Sequence, residues 1–315
     1  LKGEFSQNVG TDIDSWSIRQ PLGICAGITP FNFPAMVPMW MFPVAIACGN
    51  TFVLKPSEKD PSCPLKLAEL AIEAGFPPGV LNCVNGDKES VDALLEDKDV
   101  QAISFVGSTP IAEYVYHTGT KNNKRIQALG GAKNHMVIMP DADVEKTTDA
   151  IIGSAFGSAG ERCMAISVAV CVGKETNNKI KKSLLEKTSK LNVGPYTDEK
   201  TDFGPLSSEA HYKKVLGYID SGEKEGAKLL ADGRNFKKQG YENGYFVGPT
   251  IFDEVKPEMK IYKEEIFGPV LSMMTTKKYE DALKLVNDHE LGNGAAVFTK
   301  SGNIAKHFTE NAKIG

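Results

Sequence analysis

The sequence predicts an α/β protein built from two units. Short apolar runs rich in β-branched residues alternate with stretches whose apolar residues recur at helical spacing. The alternation pauses at PDAD, residues 140–143, and then restarts, and 315 residues are too many for one small core. Strands alternating with helices favour parallel sheets, which bind ligands at the carboxyl ends of their strands.

Five strands and three helices are predicted in the first half of the chain. The strands cover residues 21–29, 51–57, 80–86, 100–108 and 124–131, and the helices cover 62–75, 89–97 and 109–119. Between the first two strands lies the longest apolar stretch, residues 33–49, which Pro34, Pro38 and Pro43 interrupt. Because this stretch is too short for a membrane span and contains prolines, we predict a buried segment there.

The second half shows the same pattern. We predict a helix over residues 143–159, which leads into Cys163, and then a strand over 166–173. A lysine-rich helix over 174–190 follows, and after it the loop 193–208. A boundary near residue 133 separates the two units, so Cys163 lies just past the join.

Composition excludes several classes of partner. The net charge is −4, and the lysines of 174–190 are spaced around a helix as on a solvated face, so neither a nucleic-acid nor an anionic-membrane surface is indicated. No apolar stretch has membrane-spanning length. The six cysteines show no metal-ligand spacing and no disulfide framework, which favours a reducing, intracellular compartment and no metal.

Two motifs contain groups suited to acyl chemistry. GSAGERCMA, residues 157–165, places Cys163 behind small residues that leave space around the thiol, and a cysteine thiolate is a strong nucleophile. TPFNFP, residues 29–34, places Asn32 at the end of a predicted strand between two aromatic residues. The Asn32 amide is suited either to stabilising an oxyanion or to satisfying the local backbone.

Two further motifs are suited to a nucleotide, although GxGxxG and P-loop motifs are absent. FVGSTPIAE, residues 105–113, is a predicted strand that opens a helix, whose first N–H groups can bind a phosphate. A plain strand-to-helix turn is the commoner explanation of that pattern. EEIFGPV, residues 264–270, places two carboxylates before a tight turn, either to bind ribose hydroxyls or to lie on the surface.

Taken together, these motifs indicate a family. TPFNFP, LKPSE, FVGST, LGG, GERC and EEIFGPV follow one another with an order and spacing that resemble the NAD(P)-dependent aldehyde dehydrogenase superfamily, from about Gln20 to the last residue. The variants ALGGAKNH, residues 128–135, and GSAGERCMA resemble its CoA-acylating branch, the methylmalonate-semialdehyde dehydrogenases. The resemblance implies a Rossmann-type NAD-binding domain over 20–132, an α/β catalytic domain over 133–315, and part of an oligomerisation hairpin over 1–19. It also implies that the chain is truncated at both ends.

The resemblance assigns catalytic roles. Cys163 would attack the aldehyde carbon, and the Asn32 amide with the Cys163 backbone N–H would stabilise the oxyanion. Hydrolytic relatives carry a glutamate where this chain has Ala128, so water lacks its usual general base and transfer of the acyl group to CoA is favoured. Arg162 would bind a carboxylate on the substrate, the alternative being a salt bridge to Glu161 or to another domain.

Eight residues match cofactor contacts of the family: Thr29, Phe31, Lys55, Glu58, Lys59, Ser108, Gly130 and Glu265. Lys55 and Glu58 would lie at the adenosine ribose, and Lys59 along the same ribose or its phosphates. The Glu58 carboxylate would accept from the 2′-hydroxyl and repel a 2′-phosphate, which favours NAD over NADP. Ser108 would contact the phosphates. Thr29, Phe31 and Gly130 would border the nicotinamide half, and Glu265 would bind its ribose.

The predicted function is NAD-dependent, CoA-acylating oxidation of malonate or methylmalonate semialdehyde to acetyl-CoA or propionyl-CoA with loss of CO₂. The predicted partners are therefore the semialdehyde acid and CoA, with no nucleic acid and no membrane. The resemblance further implies a homo-oligomer, a dimer or tetramer, that serves valine or inositol catabolism in the cytoplasm, or in the mitochondrial matrix of a eukaryote.

Four alternatives stay open. A hydrolytic semialdehyde dehydrogenase would find its base elsewhere, and a truncated chain could be inactive. A Cys–His hydrolase would require a histidine beside the Cys163 sulfur; His135 is the histidine nearest a motif in sequence, and nothing pairs it with Cys163. A binding or structural protein would have no need to keep Cys163, Asn32 and Glu265 together.

Overall fold

The computed structural model describes residues 2–314, which divide into two units: unit 1 extends to Gly130 and unit 2 begins at Gly131. The strands are β1 Glu4–Gly10, β2 Ile13–Ser17, β3 Ile24–Ile28, β4 Thr51–Lys55, β5 Leu81–Cys83, β6 Val100–Val106, β7 Arg125–Leu129, β8 Asn134–Ile138, β9 Ile166–Val172, β10 Lys228–Ala231, β11 Thr250–Asp253, β12 Val270–Thr276 and β13 Ala295–Phe298. The helices are α1 Met36–Ala47, α2 Ser62–Glu73, α3 Lys88–Glu96, α4 Thr109–Lys121, α5 Val144–Phe156, α6 Lys174–Thr188, α7 Glu209–Lys224, α8 Lys260–Lys263, α9 Tyr279–Asp288 and α10 Gly302–Asn311. The prediction of an α/β protein is confirmed.

Unit 1 is built on a parallel sheet with strand order β5-β4-β3-β6-β7. This is the 3-2-1-4-5 order of a Rossmann-type fold, in which the order reverses between the first and fourth strands. Here that switch point lies between β3 and β6. All five strands predicted in this half are present. Among them β3, β4 and β6 are largely buried, and strands buried on both faces appear in a sequence as continuous apolar runs.

The two faces of this sheet have separate cores. Ala26, Ile28, Ile103 and Phe105 pack with helices α3 and α4, whereas Cys25, Phe52 and Leu54 pack with Phe42 of α1. Neighbouring residues of a strand point to opposite faces, so β3 contributes alternate side chains to each core. This arrangement leaves the carboxyl ends of the strands as the edge where the predicted cofactor residues lie.

The prediction of a buried segment over residues 33–49 is wrong in part. Residues Met36–Ala47 form helix α1, with Pro38 in its first turn and Pro43 in its interior. Only one side is buried, and Met39, Trp40 and Val44 are about half exposed or more. A helix on a sheet buries one face, and α1 has apolar residues all around it. Within residues 2–314 no helix is both long enough and apolar enough to cross a bilayer.

Residues before the sheet form a two-stranded antiparallel hairpin, β1 with β2. Its large apolar side chains are exposed, among them Phe5 at 64% and Trp16 at 69%. The oligomerisation role of this hairpin stays a prediction.

Unit 2 contains a six-stranded sheet with order β10-β11-β12-β9-β8-β13, parallel except for the pairing of β10 with β11. Its central strand β9 is almost wholly buried, and so is β8. Helix α5 ends at Phe156, three residues before the predicted end at 159. The difference arises because Ser158, Ala159 and Gly160 have positive φ values of 51°, 54° and 73° and cannot continue a right-handed helix.

Candidate active site

The carboxyl end of β3 carries three of the predicted site residues. The Thr29 N–H donates to the Lys55 carbonyl at 3.1 Å, which continues the pairing of β3 with β4. Asn32 lies in the bend that follows, before α1 begins. The Thr29 hydroxyl is buried and has no hydrogen-bond partner among residues 2–314. A buried hydroxyl of this kind is expected to meet a ligand or a water.

The end of β4 carries the predicted adenosine-ribose group. The buried Lys55 ammonium donates to the half-exposed Glu58 carboxylate at 3.3 Å. Partial burial acts to raise the pKa of Glu58, but its backbone N–H, the Lys55 ammonium and the nearby Lys59 together lower that pKa below its ordinary value. The Lys59 ammonium lies 4.8 Å from the centre of the Phe31 ring, as in a cation–π contact. Glu58 is therefore ionised at neutral pH and partly open to solvent.

The end of β6 leads into α4 through Ser108. Ser108 occupies the N-cap position, yet its side chain does not cap the helix, and Pro110 lies in the first turn. At Gly130 an added Cβ would lie 3.1 Å from the Thr109 hydroxyl, a tight contact, so glycine allows this close approach without displacing the start of α4. Thr29, Glu58 and Ser108 thus follow three neighbouring strands of one sheet edge. Together, the partnerless Thr29 hydroxyl, the ionised Glu58 and the start of α4 provide the donors and acceptors that a dinucleotide requires.

Unit 1 also contains a cavity of about 560 Å³ that lies away from these predicted cofactor residues. Side chains of α1 and of β3, β6 and β7 line it, among them Trp40, Cys25 and Arg125. None of the predicted site residues lines this cavity, so we do not assign the cofactor to it.

In unit 2 the cysteine follows a tight left-handed turn. Gly160 has φ +73°, and a Cβ added there would lie 2.2 Å from the Gly268 carbonyl oxygen. The turn therefore packs its backbone directly against the backbone of the EEIFGPV motif. A cleft between these two segments is lined by Arg162, Cys163 and Glu265 among others. The structure thus brings together the three site residues predicted in this unit.

Arg162 is tied to the helix that precedes it and to no carboxylate. Its guanidinium donates to the Ser158 hydroxyl at 3.2 Å and to the Gly153 carbonyl at 3.3 Å. Among residues 2–314 it forms no salt bridge, so the alternative of an ion pair with Glu161 is not what the structure contains. Its remaining donor capacity is compatible with binding a substrate carboxylate.

Glu161 is a buried carboxylate whose environment sequence reasoning missed. Its oxygen lies 3.4 Å from the backbone N–H of Ser207 and 3.5 Å from the Nε2 atom of His211. The same Nε2 lies 2.6 Å from the carbonyl oxygen of Phe267, a residue with φ 59°. Glu161 and His211 therefore connect the cysteine turn with the EEIFGPV segment. Both partners lie far from Glu161 in sequence, so no local pattern could have indicated them.

Glu265 is held by the main chain of the segment before β8. Its carboxylate accepts from the Ala132 N–H at 3.0 Å. Burial raises the pKa of Glu265 above its ordinary value, although the Ala132 N–H, Lys214 and Lys133 act in the opposite direction. This fixed orientation directs an acceptor into the cleft that also contains Cys163.

His135 does not meet the requirement of a Cys–His hydrolase. Its Nδ1 lies 2.8 Å from the Lys133 carbonyl oxygen and its Nε2 lies 3.1 Å from the Tyr262 hydroxyl, so both nitrogens have partners other than a thiol. Burial, together with the neighbouring His289, lowers the pKa of His135 to about 3. In the described part of the chain, moreover, no three His, Cys, Asp or Glu side chains are placed to hold a metal ion.

Comparison with known proteins decides the family. The model of the aldehyde dehydrogenase family matches residues 1–315. The chain belongs to the aldehyde dehydrogenase family. A malonate-semialdehyde dehydrogenase of Pseudomonas aeruginosa is 58% identical to it over 315 residues, and one of Bacillus cereus is 54% identical over the same length. Each alignment covers 100% of this chain but only 63% and 64% of the relative, so the chain spans about two thirds of their length.

Solved aldehyde dehydrogenase structures have the same fold. A methylmalonate-semialdehyde dehydrogenase from Oceanimonas doudoroffii is 57% identical, with a TM-score of 0.97. A Sinorhizobium meliloti protein solved in complex with NAD is 59% identical, also with a TM-score of 0.97. Each alignment covers 100% of this chain and 64% of the solved chain. The family resemblance stated from the six motifs is confirmed.

Proposed function

We propose that this chain carries the active site of an NAD-dependent, CoA-acylating dehydrogenase of malonate and methylmalonate semialdehydes. The names of the relatives at 58% and 57% identity support the substrate class. We assign cofactor binding to residues 20–132 and the thiol chemistry to 133–315. The proposal also includes a homo-oligomer in the cytoplasm, with the exposed apolar hairpin β1–β2 as part of its interface.

NAD would be bound at the carboxyl edge of the unit 1 sheet. Lys55, Glu58 and Lys59 would contact the adenosine ribose, and Ser108 would contact the phosphates at the start of α4. Thr29, Phe31 and Gly130 would border the nicotinamide half, and Glu265 would accept from its ribose. The ionised Glu58 repels a 2′-phosphate, which supports NAD over NADP. When bound, the cofactor supplies a hydride acceptor.

The thiol step follows from the chemistry of Cys163. Its sulfur forms a bond to the aldehyde carbon, and the carbonyl oxygen becomes an oxyanion that the Asn32 amide and the Cys163 N–H would stabilise. When the oxyanion collapses, the C–H bond breaks and its electron pair leaves as hydride. A thioester on Cys163 remains. The electrons lost by the aldehyde carbon are those that the cofactor gains.

Ala128 is the observation that carries the choice between CoA and water. It lies in β7 with a methyl side chain, which has no capacity to accept a proton. The buried Glu161 meets Ser207 and His211, and Glu265 meets the Ala132 N–H, so both carboxylates near the cleft have structural partners. A CoA thiol is already a good nucleophile and needs less help from a base than water does. The CoA sulfur bonds to the acyl carbon, the bond from that carbon to the Cys163 sulfur breaks, and the proton of the CoA thiol passes to the departing Cys163 thiolate, which gives acyl-CoA and the free cysteine.

Arg162 supports an acid-bearing aldehyde. Its guanidinium is anchored to Ser158 and Gly153 without an acidic partner in the described residues, so a substrate carboxylate would supply the missing charge. A carboxylate β to a thioester carbonyl can leave as CO₂, because the carbonyl stabilises the resulting enolate, which then takes up a proton. Malonate semialdehyde would thus yield acetyl-CoA, and methylmalonate semialdehyde would yield propionyl-CoA.

The test is NADH formation by the full-length protein that the gene encodes, supplied with malonate semialdehyde with and without CoA. We expect steady turnover only with CoA, acetyl-CoA and CO₂ as products, and no turnover after Cys163→Ala. Cys63→Ala is the matched control, because this second partly exposed thiol lies on α2 and not in the predicted site. Equal turnover without CoA, with release of a free acid, would establish the hydrolytic alternative instead.

A further inference from the structure

The three residues before and at the start of β8 contact both reactive segments of unit 2. Ala132 donates its N–H to the Glu265 carboxylate, as described above. The next two residues, Lys133 and Asn134, are buried polar side chains with 0% and 1% exposure. Asn134 borders the cleft that also contains Cys163 and Glu265, and Lys133 does not; the proposed chemistry uses neither side chain. Burying a polar side chain costs free energy unless it is hydrogen-bonded, so the partners of these two side chains show what they hold in place.

The Asn134 amide uses all of its hydrogen-bonding capacity on main-chain groups. Its Nδ2 donates to the Cys163 carbonyl at 2.8 Å and to the Ala165 carbonyl at 3.0 Å. Its Oδ1 accepts from the N–H groups of Asn293 and Gly294 at 3.0 and 2.9 Å. An asparagine amide offers two donors and two acceptor positions, and all are filled here. Asn134 therefore fixes the peptide group that directly follows the cysteine.

The Lys133 side chain donates hydrogen bonds to the main chain of the segment that precedes Glu265. Its Nζ donates to the carbonyl oxygens of Ile261 and Glu264 at 2.7 and 2.8 Å. Those carbonyls belong to the residues that lead directly into Glu265. Burial lowers the pKa of Lys133 to about 7, while Glu265 and Glu264 act against that shift. Even the neutral amine has two N–H donors, so both bonds persist when the proton is lost.

We propose that Asn134 and Lys133 are positioning residues, Asn134 for the main chain that presents Cys163 and Lys133 for the segment that presents Glu265. The proposal rests on the proposed roles of Cys163 and Glu265. It assigns separate consequences to two neighbouring residues: loss of the Asn134 amide loosens the cysteine turn, and loss of the Lys133 ammonium loosens the approach to Glu265. A purely structural role would destabilise unit 2 as a whole and would not separate the two segments.

Hydrogen exchange measured by mass spectrometry tests this separation without any turnover. In the full-length protein, Asn134→Ala should speed exchange about tenfold in residues 157–165 and leave residues 258–266 within about twofold of the parent. Lys133→Met keeps the length of the side chain and should have the opposite pattern. Asn134→Asp is the second variant at that position, because it keeps the volume and the acceptor while removing both donors.

Two control variants remove similar buried groups elsewhere. Asn177→Ala removes a buried amide that donates to Asp253, and Lys124→Met removes a buried ammonium that donates to the Asp97 and Val100 carbonyls of unit 1. We expect both controls to lower stability without faster exchange in residues 157–165 or 258–266. Faster exchange in those segments in the controls, or equal exchange of both segments in the two test variants, would overturn the proposal.

Kinetics provide the second readout. Asn134→Ala should lower kcat about tenfold or more with the Kd of NAD within about twofold, whereas Lys133→Met should raise the Kd of NAD about fivefold or more. The Kd is measured by titration without substrate. Segment-selective exchange with kcat and Kd both unchanged would overturn the positioning roles. Retention of turnover in Cys163→Ala would instead overturn the proposed function, so the two failures are distinguishable.

Discussion

Gly160 is a position in unit 2 where one added methyl group meets two obstacles, a left-handed backbone and a close backbone neighbour. The residue has φ +73° and lies in the turn before Cys163. Its ideal Cβ would lie 2.2 Å from the Gly268 carbonyl oxygen and 2.5 Å from the Gly268 carbonyl carbon. Both atoms belong to the backbone, so they cannot move aside as a flexible side chain would.

Two contributions add up in the substitution Gly160→Ala. Holding alanine in the left-handed region costs about 1–2 kcal/mol. Relieving the overlap with Gly268 requires a backbone shift, and overpacking of this kind costs about 1–3 kcal/mol. Together they destabilise unit 2 by about 2–5 kcal/mol. For a unit of this size each kcal/mol lowers the melting temperature by about 2–4 °C, so the expected fall is about 4–20 °C.

Differential scanning calorimetry of the parent and of two variants measures this effect. The control is Gly153→Ala, in helix α5 of the same unit, where an added Cβ meets nothing within 4 Å. An alanine there should raise stability by about 0.5–1 kcal/mol through helix propensity. We therefore expect glycine-to-alanine substitution to lower the melting temperature at Gly160 and to raise it at Gly153. A melting temperature of Gly160→Ala within about 1 °C of the parent would refute the argument from φ and backbone overlap.

Three further predictions concern the cofactor, the substrate and pH. Glu58→Gln should lower the preference for NAD over NADP about tenfold, because it removes the repulsion of a 2′-phosphate. Titration with each nucleotide measures the two Kd values, and Glu69→Gln on the exposed face of α2 is the control. An unchanged ratio of the two Kd values would contradict the assignment of Glu58. Arg162→Gln should lower kcat/KM for malonate semialdehyde about a hundredfold and for acetaldehyde less than about threefold, and equal losses would show that Arg162 does not bind the carboxylate. The pKa of His135 is lowered to about 3 in the fold, so as pH falls below about 6.5 the unfolded chain takes up a proton before the folded chain does, and stability declines toward pH 3. Urea unfolding at several pH values should show a smaller decline of the unfolding free energy for His135→Asn than for the parent. The same dependence of that free energy on pH in both proteins would refute this.

The sheet of unit 1 could be predicted from sequence because its signals are local. The apolar runs around β3, β4 and β6 are largely buried, and the helices α2, α3 and α4 show an amphipathic pattern. The prediction failed at residues 33–49, where we predicted a buried segment and no helix. In α1, Pro38 lies in the first turn, where its missing N–H has no helical partner to lose, and Pro43 is accommodated in the interior.

The residues of the candidate site could be predicted from the sequence, but the backbone conformation and the long-range hydrogen bonds around them could not. Cys163 and Glu265 stand in recognisable motifs, and the structure brings both to one cleft. The left-handed conformation of Ala159 was not predictable, since local preferences favour glycine there and tertiary packing imposes this geometry. The amide of Asn134 meets partners 29 to 160 residues away, and no periodicity in the sequence reports contacts over such separations.

The pairing of β8 with β13 has a consequence for synthesis on the ribosome. The two strands stand side by side, yet Gly294, next to β13, lies 160 residues after Asn134. At about 5–20 residues per second, roughly 8–30 s separate the emergence of the two strands. Until then one edge of β8 has no partner, and the side-chain oxygen Oδ1 of Asn134 lacks the N–H groups of Asn293 and Gly294 that donate to it. The hydrogen bonds of Asn134 that hold the main chain at Cys163 are therefore completed only after Gly294 has been synthesised, and until then the unpaired edge of β8 is open to aggregation.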